Sequence, residues 1–242
     1  MPQLIRRVLF WLALPVIAIQ GTWLKFRAPR FPPAAGPISG ATGQGKSICL
    51  QAIGDSIVAG VGATTTAESL PALLAEALAK KLDRQVSWNA IGQSGAASER
   101  ILTELVPQLP EAPADVIFIS AGVNDVTGLK STRHWRRQLS ALWDALHNHS
   151  PDAVLLIAGL PPMHLFPLLP QPLRAVIGMR ARTFDAIAAE LAAQREYCLF
   201  VPTRFDPGAG KFSEDGYHPS ADSYRVWAEA LADLIESRLN SR

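Results

Sequence analysis

Ile48-Cys49-Leu50-Gln51-Ala52-Ile53-Gly54-Asp55-Ser56 is the stretch on which the architecture turns. A short apolar run that halts at a glycine reads as a buried strand, not a helix. The distinction matters because the eight residues before it, Gly40-Ala41-Thr42-Gly43-Gln44-Gly45-Lys46-Ser47, match the phosphate-loop pattern G-x-x-x-x-G-K-[ST] letter for letter. Such a loop must leave a strand and enter a helix whose N-terminus faces the phosphates. Here a Pro-rich segment precedes it and a strand follows, so nucleotide binding is discounted.

Working outward, strand-like runs recur at 48–53, 85–91, 115–121, 153–158 and 197–201, and helix-like stretches at 67–82, 97–106, 132–148, 174–195 and 221–238. In the third of these helices Trp135, Leu139, Leu142 and Leu146 repeat at helical spacing, and Val226, Trp227, Leu231, Leu234 and Ile235 do so in the last. Strands alternating with helices predict an α/β fold, a five-stranded parallel sheet covered on both faces. Residues 47–242 are therefore one domain. No internal repeat is present.

Hydrophobic residues make up 48% of the 242 and charged residues 18%, enough for a sizeable core. The net charge of +2 is scattered, with no basic stripe interleaved with aromatics, so nucleic acid is not an expected partner. Cys49 and Cys198 sit in apolar runs and read as buried free thiols. The N-terminus is different in kind. Arg6 and Arg7 precede an apolar stretch from Val8 to Leu24, which Lys25, Arg27 and Arg30 follow. That is the lower limit of length for a membrane-spanning helix. Residues 1–27 are accordingly expected to be a membrane anchor, with a cleaved signal peptide or a buried helix as alternatives. Basic residues at both ends leave the orientation open. Residues 28–46, rich in Pro, Gly and Ala, read as a linker or a wrapped surface segment.

In open parallel sheets, ligands bind beyond the carboxyl ends of the strands. Ser56 follows the first strand, Gly92 the second, Asn124 the third, and Asp215 and His218 the fifth. A serine hydroxyl is a poor nucleophile until a neutral imidazole can take its proton, and a carboxylate can hold that imidazole in the right tautomer. Ser56, His218 and Asp215, three residues before the histidine, are the candidates for those three parts.

The blocks Gly54-Asp55-Ser56, Gly92, Gly122-Val123-Asn124-Asp125 and Asp215-Gly216-Tyr217-His218-Pro219 occur in one order, and over residues 48–240 the chain resembles the SGNH (GDSL-type) hydrolase family. The resemblance implies a flavodoxin-like three-layer α/β/α fold and ester hydrolysis through an acyl-enzyme on Ser56. It also implies an oxyanion hole from the backbone N–H groups of Ser56 and Gly92 and the side-chain amide of Asn124. Ile57 stands where the family name has leucine. The same three side chains could instead pass the acyl group to an alcohol, as an acyltransferase, or the domain could be a silent binding module.

Other candidates are weaker. Ser94, in Gly92-Gln93-Ser94-Gly95-Ala96, misses the last glycine of a nucleophile elbow. Asp55 is expected to shape the turn at Ser56, with a direct role in the chemistry as the alternative. His134, His147, His149 and His164 lack metalloprotease spacing, and no metal or cofactor is expected. Residues 159–173 are proline-rich and unusually apolar for a loop, and are expected to wall an acyl pocket for a small-molecule or lipid ester, with packing against the body of the domain as the alternative. Oligomeric state is left open.

Overall fold

Apolar residues on successive strand positions point to opposite faces, and here both faces are covered. The structure, a computed structural model, describes residues 14–24, 26, 31–203 and 211–240. Strands β2 (Ser47–Gly54), β3 (Gln85–Gly92), β4 (Val116–Ser120), β5 (Val154–Ala158) and β6 (Cys198–Val201) are parallel neighbours in the order β3-β2-β4-β5-β6. On β4, Ile117 and Ile119 join the core beneath α5 (Thr132–His149) and α6 (Leu173–Ala193), while Val116 and Phe118 join the core beneath α2 (Leu70–Leu82) and α7 (Ala221–Asn240). The alternation produces the three α/β/α layers.

The expected count of five strands needs one correction. Ser39–Thr42, read as part of a linker, forms a sixth strand, β1, antiparallel to β3 at the sheet edge. Its residues are mostly exposed and carry no apolar alternation, so pairing with β3 rather than burial holds it in place. A turn and then β2 follow, so the phosphate-loop lookalike is strand–turn–strand with no helix after it. Before β1 the chain wraps: Ala34 N–H donates to Ala59 O, and Ala35 N–H to Thr64 O, each at 3.1 Å. Cys49 and Cys198 are free but half-buried, not buried.

The expected N-terminal anchor lies only partly within the described residues. No helix among the described residues is long and apolar enough to cross a membrane. Residues 14–24 form helix α1, and the remainder of the apolar stretch, 8–13, lies outside the described residues, as do Arg6, Arg7, Lys25, Arg27 and Arg30. Gln20 interrupts the run for a structural purpose: its side-chain amide donates to Gln171 O at 2.7 Å and accepts from Leu173 N–H at 3.1 Å. Ile17 and Leu24 pack beside it on the domain.

The order β3-β2-β4 makes the chain reverse direction across the sheet between β2 and β4. A crevice opens beyond the carboxyl ends of strands at such a reversal. Ser56 follows β2, and Asn124 lies on α4 (Val123–Thr127), just after β4.

Candidate active site

The turn that carries Ser56 is built by the residue before it. Asp55 N–H donates to Ser120 O at 3.1 Å, which pins the turn to the end of β4. The Asp55 carboxylate accepts from Ile57 N–H at 3.1 Å and from Ser120 Oγ at 3.0 Å. Further along, Ala59 N–H reaches back to Asp55 O and Val61 N–H to Ser56 O.

Two glycines let other backbone segments reach this turn. A Cβ at Gly92 would lie 2.2 Å from Ala59 N, and one at Gly62 would lie 2.2 Å from Pro219 O, next to His218. No side chain fits at either distance. Gly62 also has φ +100°, where side chains other than glycine's are strained. The hydroxyl of buried Tyr224 on α7 donates to Val61 O at 2.6 Å and fixes the far side of the turn.

The histidine loop is equally local in origin. Asp215 Oδ1 accepts from Ser213 Oγ, Tyr217 N–H and His218 N–H, each at 2.8 Å. Its second oxygen, Oδ2, lies 2.5 Å from His218 Nδ1. Burial would raise the Asp215 pKa, but His218, the two amides and the Ser213 hydroxyl outweigh it and hold the carboxyl at about 2. An ionised carboxylate can only accept, so Nδ1 carries the proton. The lone pair of Nε2 then faces Ser56 Oγ, 2.9 Å away. Ser56, His218 and Asp215 thus stand in one hydrogen-bonded line, assembled from residues 162 apart in sequence.

Asn124 is oriented from two sides. Its amide donates one hydrogen to Ala96 O at 2.9 Å, which leaves the other free to donate. Beside it, buried Asp125 accepts from Ser98 Oγ at 2.6 Å and from Ser98 N–H at 2.9 Å, tying α4 to the segment after β3. Gly92 ends β3 against the Ser56 turn.

Beside Ser56 and His218 lies an apolar cavity walled by Ile57, Val123, Leu160, Phe166, Tyr217 and Trp227. The proline-rich loop after β5 supplies Leu160, Pro161 and Phe166 to it. Phe166 meets Tyr217 edge-on at 5.1 Å, and Leu168 N–H donates to Gly216 O, so this loop also braces the histidine loop.

The remaining candidates fall elsewhere. Ser94 is exposed on the turn after β3. His147 stacks on Tyr197, and His149 bonds to Ser150 and Pro110 O. Among the described residues no three His, Cys, Asp or Glu side chains cluster to hold a metal ion. Sequence reasoning missed Gly62, Ser98, Ser120, Ser213 and Tyr224. The Gly60-Val61-Gly62 spacing was a usable signal for the first, whereas single serines and a tyrosine carry none.

Asp55 yields a prediction. Burial drives its pKa from the ordinary 3.8 to about 6, only partly offset by Ile57 N–H, Ser120 and the charge of His218. The folded state therefore binds the proton more tightly than the unfolded chain, and stability falls as pH rises from about 4 to 6. Above that range the ionised side chain costs about 3 kcal/mol. Asp55→Asn should unfold at a higher temperature than the native protein near neutral pH, and the advantage should vanish at about pH 4. A difference between the two unfolding midpoints that does not vary with pH would refute this account.

The comparisons agree with the fold. A family model for the GDSL-like Lipase/Acylhydrolase family matches residues 52–226. The GDSL-like esterase Rv1075c of Mycobacterium tuberculosis is 27% identical over 203 residues, which take in 79% of this chain and 64% of that protein. The chain thus spans less than two thirds of that relative's length. Among solved structures, the psychrotrophic esterase EstA from Pseudoalteromonas sp. superposes with a TM-score of 0.61 at 17% identity, over 79% of this chain and 98% of that one. The Clostridium thermocellum family 3 carbohydrate esterase gives 0.59 at 22% identity, over 76% and 92%. Likeness at these identities speaks for the architecture alone. The family match, running from the second strand into the last helix, carries more, and on it this chain belongs to the GDSL-like lipase/acylhydrolase family.

Proposed function

We propose that the protein is a serine esterase that hydrolyses carboxylic esters through an acyl-enzyme on Ser56. The observation that carries the reading is the line from Ser56 Oγ to His218 Nε2, and from Nδ1 to the ionised Asp215. Ser56 Oγ attacks the ester carbonyl carbon while Nε2 takes its proton. The backbone N–H groups of Ser56 and Gly92 and the free hydrogen of the Asn124 amide hold the negative charge that forms on the carbonyl oxygen. The imidazolium, stabilised by Asp215, returns the proton to the departing alkoxide and leaves the acyl group on Ser56. Water then attacks that acyl group, again deprotonated by Nε2, and releases the acid with Ser56 restored.

A fluorescent phosphonate ester tests this reading directly. It should attach to the native protein at Ser56, located by peptide mass spectrometry, and p-nitrophenyl esters should be hydrolysed. A folded protein that neither reacts with the phosphonate nor cleaves any ester would instead be a binding module.

The apolar wall beside Ser56 supports esters with apolar acyl groups over acetyl esters. Each methylene buried there contributes about 0.8 kcal/mol, close to fourfold in binding. Leu160→Phe narrows the cavity without placing a polar atom in it. The expected result is a fall of about tenfold in the hexanoyl-to-acetyl ratio of kcat/KM, with acetyl turnover near native. Equal losses on both esters would move Leu160 from reading the acyl group to supporting the fold.

A further inference from the structure

Helix α1 has two unlike faces. Ile17, Gln20 and Leu24 turn toward the domain, with Gln20 bonded to Gln171 and Leu173. Val16, Ile19 and Trp23 form a stripe outside those contacts, 46%, 70% and 57% exposed, which Phe26 extends at 76%. Residues three and four apart lie on one side of a helix, so the four large apolar groups make one continuous strip. A soluble domain gains nothing by presenting such a strip to water.

Charge says what covers it. The first 54 residues contain six Lys or Arg (Arg6, Arg7, Lys25, Arg27, Arg30 and Lys46) and no Asp or Glu, a net +6. The rest of the chain holds 17 Lys or Arg against 21 Asp or Glu, a net −4. The near-neutral total hides a basic N-terminal segment, and five of its six cations flank the helix in sequence. A second copy of the chain would set two such basic ends against each other, whereas an anionic lipid surface complements both the charge and the apolar strip. The sequence before the helix, Val8-Leu9-Phe10-Trp11-Leu12, adds to the apolar content of the same end.

We infer that the N-terminal helix is an interfacial docking element, lying along an anionic bilayer with Val16, Ile19, Trp23 and Phe26 in the lipid and its other face on the domain. This differs from a spanning anchor. A helix across the bilayer would not keep Gln20 on the backbone of the loop that also supplies Phe166 to the cavity beside Ser56. Docking thereby holds the proposed ester site at a lipid surface. The surface inference stands without the hydrolytic reading, because its test measures binding.

The full chain is mixed with phosphatidylcholine vesicles, with or without phosphatidylglycerol, and floated through a density gradient. It should float with the anionic vesicles, at least about tenfold better than with neutral ones, and high salt should release it. Replacing Ile19 and Trp23 by Asn, with the thermal unfolding midpoint shown to be unchanged, should lower partitioning by at least about tenfold. Three results would overturn the inference. One is the Asn variant floating as well as the native chain. Another is equal binding to neutral vesicles that resists high salt and alkaline carbonate, as a spanning helix would. The third is a dimer in lipid-free buffer that the variant dissociates, which would assign the strip to a second copy.

Discussion

Ser56→Ala and His218→Ala should each lower kcat on a good ester by about 10⁴- to 10⁶-fold, with KM changed far less. The size follows from what each removes. Without Ser56 there is no acyl-enzyme, and only water held in the site remains to attack. Without His218 the Ser56 proton has nowhere to go at neutral pH, because only His218 Nε2 is bonded to Ser56 Oγ and a carboxylate such as Asp215 is too weak a base to replace it. The two losses should not add. The double variant should be about as slow as either single one, because the groups act as one unit. Folding is a fair control: Ser56 and His218 are only partly buried, and neither is packed in the cores on the two sides of the sheet. A folded Ser56→Ala protein with near-native turnover would remove Ser56 as the nucleophile.

What the sequence makes legible here follows from the kind of force involved. The central parallel strands are short runs such as Val116-Ile117-Phe118-Ile119, whose burial on both faces is written in their composition. The strand ends could be placed, so the residues after them could be assembled into a site before any geometry was known. β1 was not legible. Ser39-Gly40-Ala41-Thr42 holds its place through backbone pairing with β3, and backbone hydrogen bonds leave no mark on side-chain pattern. The supporting polar groups were hidden for a related reason. Ser120 and Ser213 become meaningful only once register and loop closure bring them to Asp55 and Asp215. At the N-terminus hydropathy counted apolar residues without regard to direction. Ile17 and Leu24, which pack on the domain, enter that count beside Val16, Ile19 and Trp23, which are exposed.

Asn124→Ala should cost about 100- to 1000-fold in kcat, or about 3–4 kcal/mol of transition-state stabilisation, while KM stays near native. The ester carbonyl in the ground state is a modest acceptor, and the full charge arrives only as Ser56 adds to it, so a donor aimed at that oxygen acts mainly on kcat. The structure gives Asn124 the means to be so aimed. Ala96 O takes one hydrogen of its amide, which fixes the plane of the group and directs the second hydrogen without further ordering during the reaction. Asp125, clamped by Ser98, keeps α4 from drifting away from that position. Asn124→Asp separates geometry from charge. It is nearly isosteric, but when ionised it would set a negative group against a forming negative oxygen, so it should be slower than Ala near neutral pH, and the gap between the two variants should close as pH falls. If Asn124→Ala raises KM and spares kcat, the residue binds the ester in its ground state and the oxyanion rests on the two backbone amides alone.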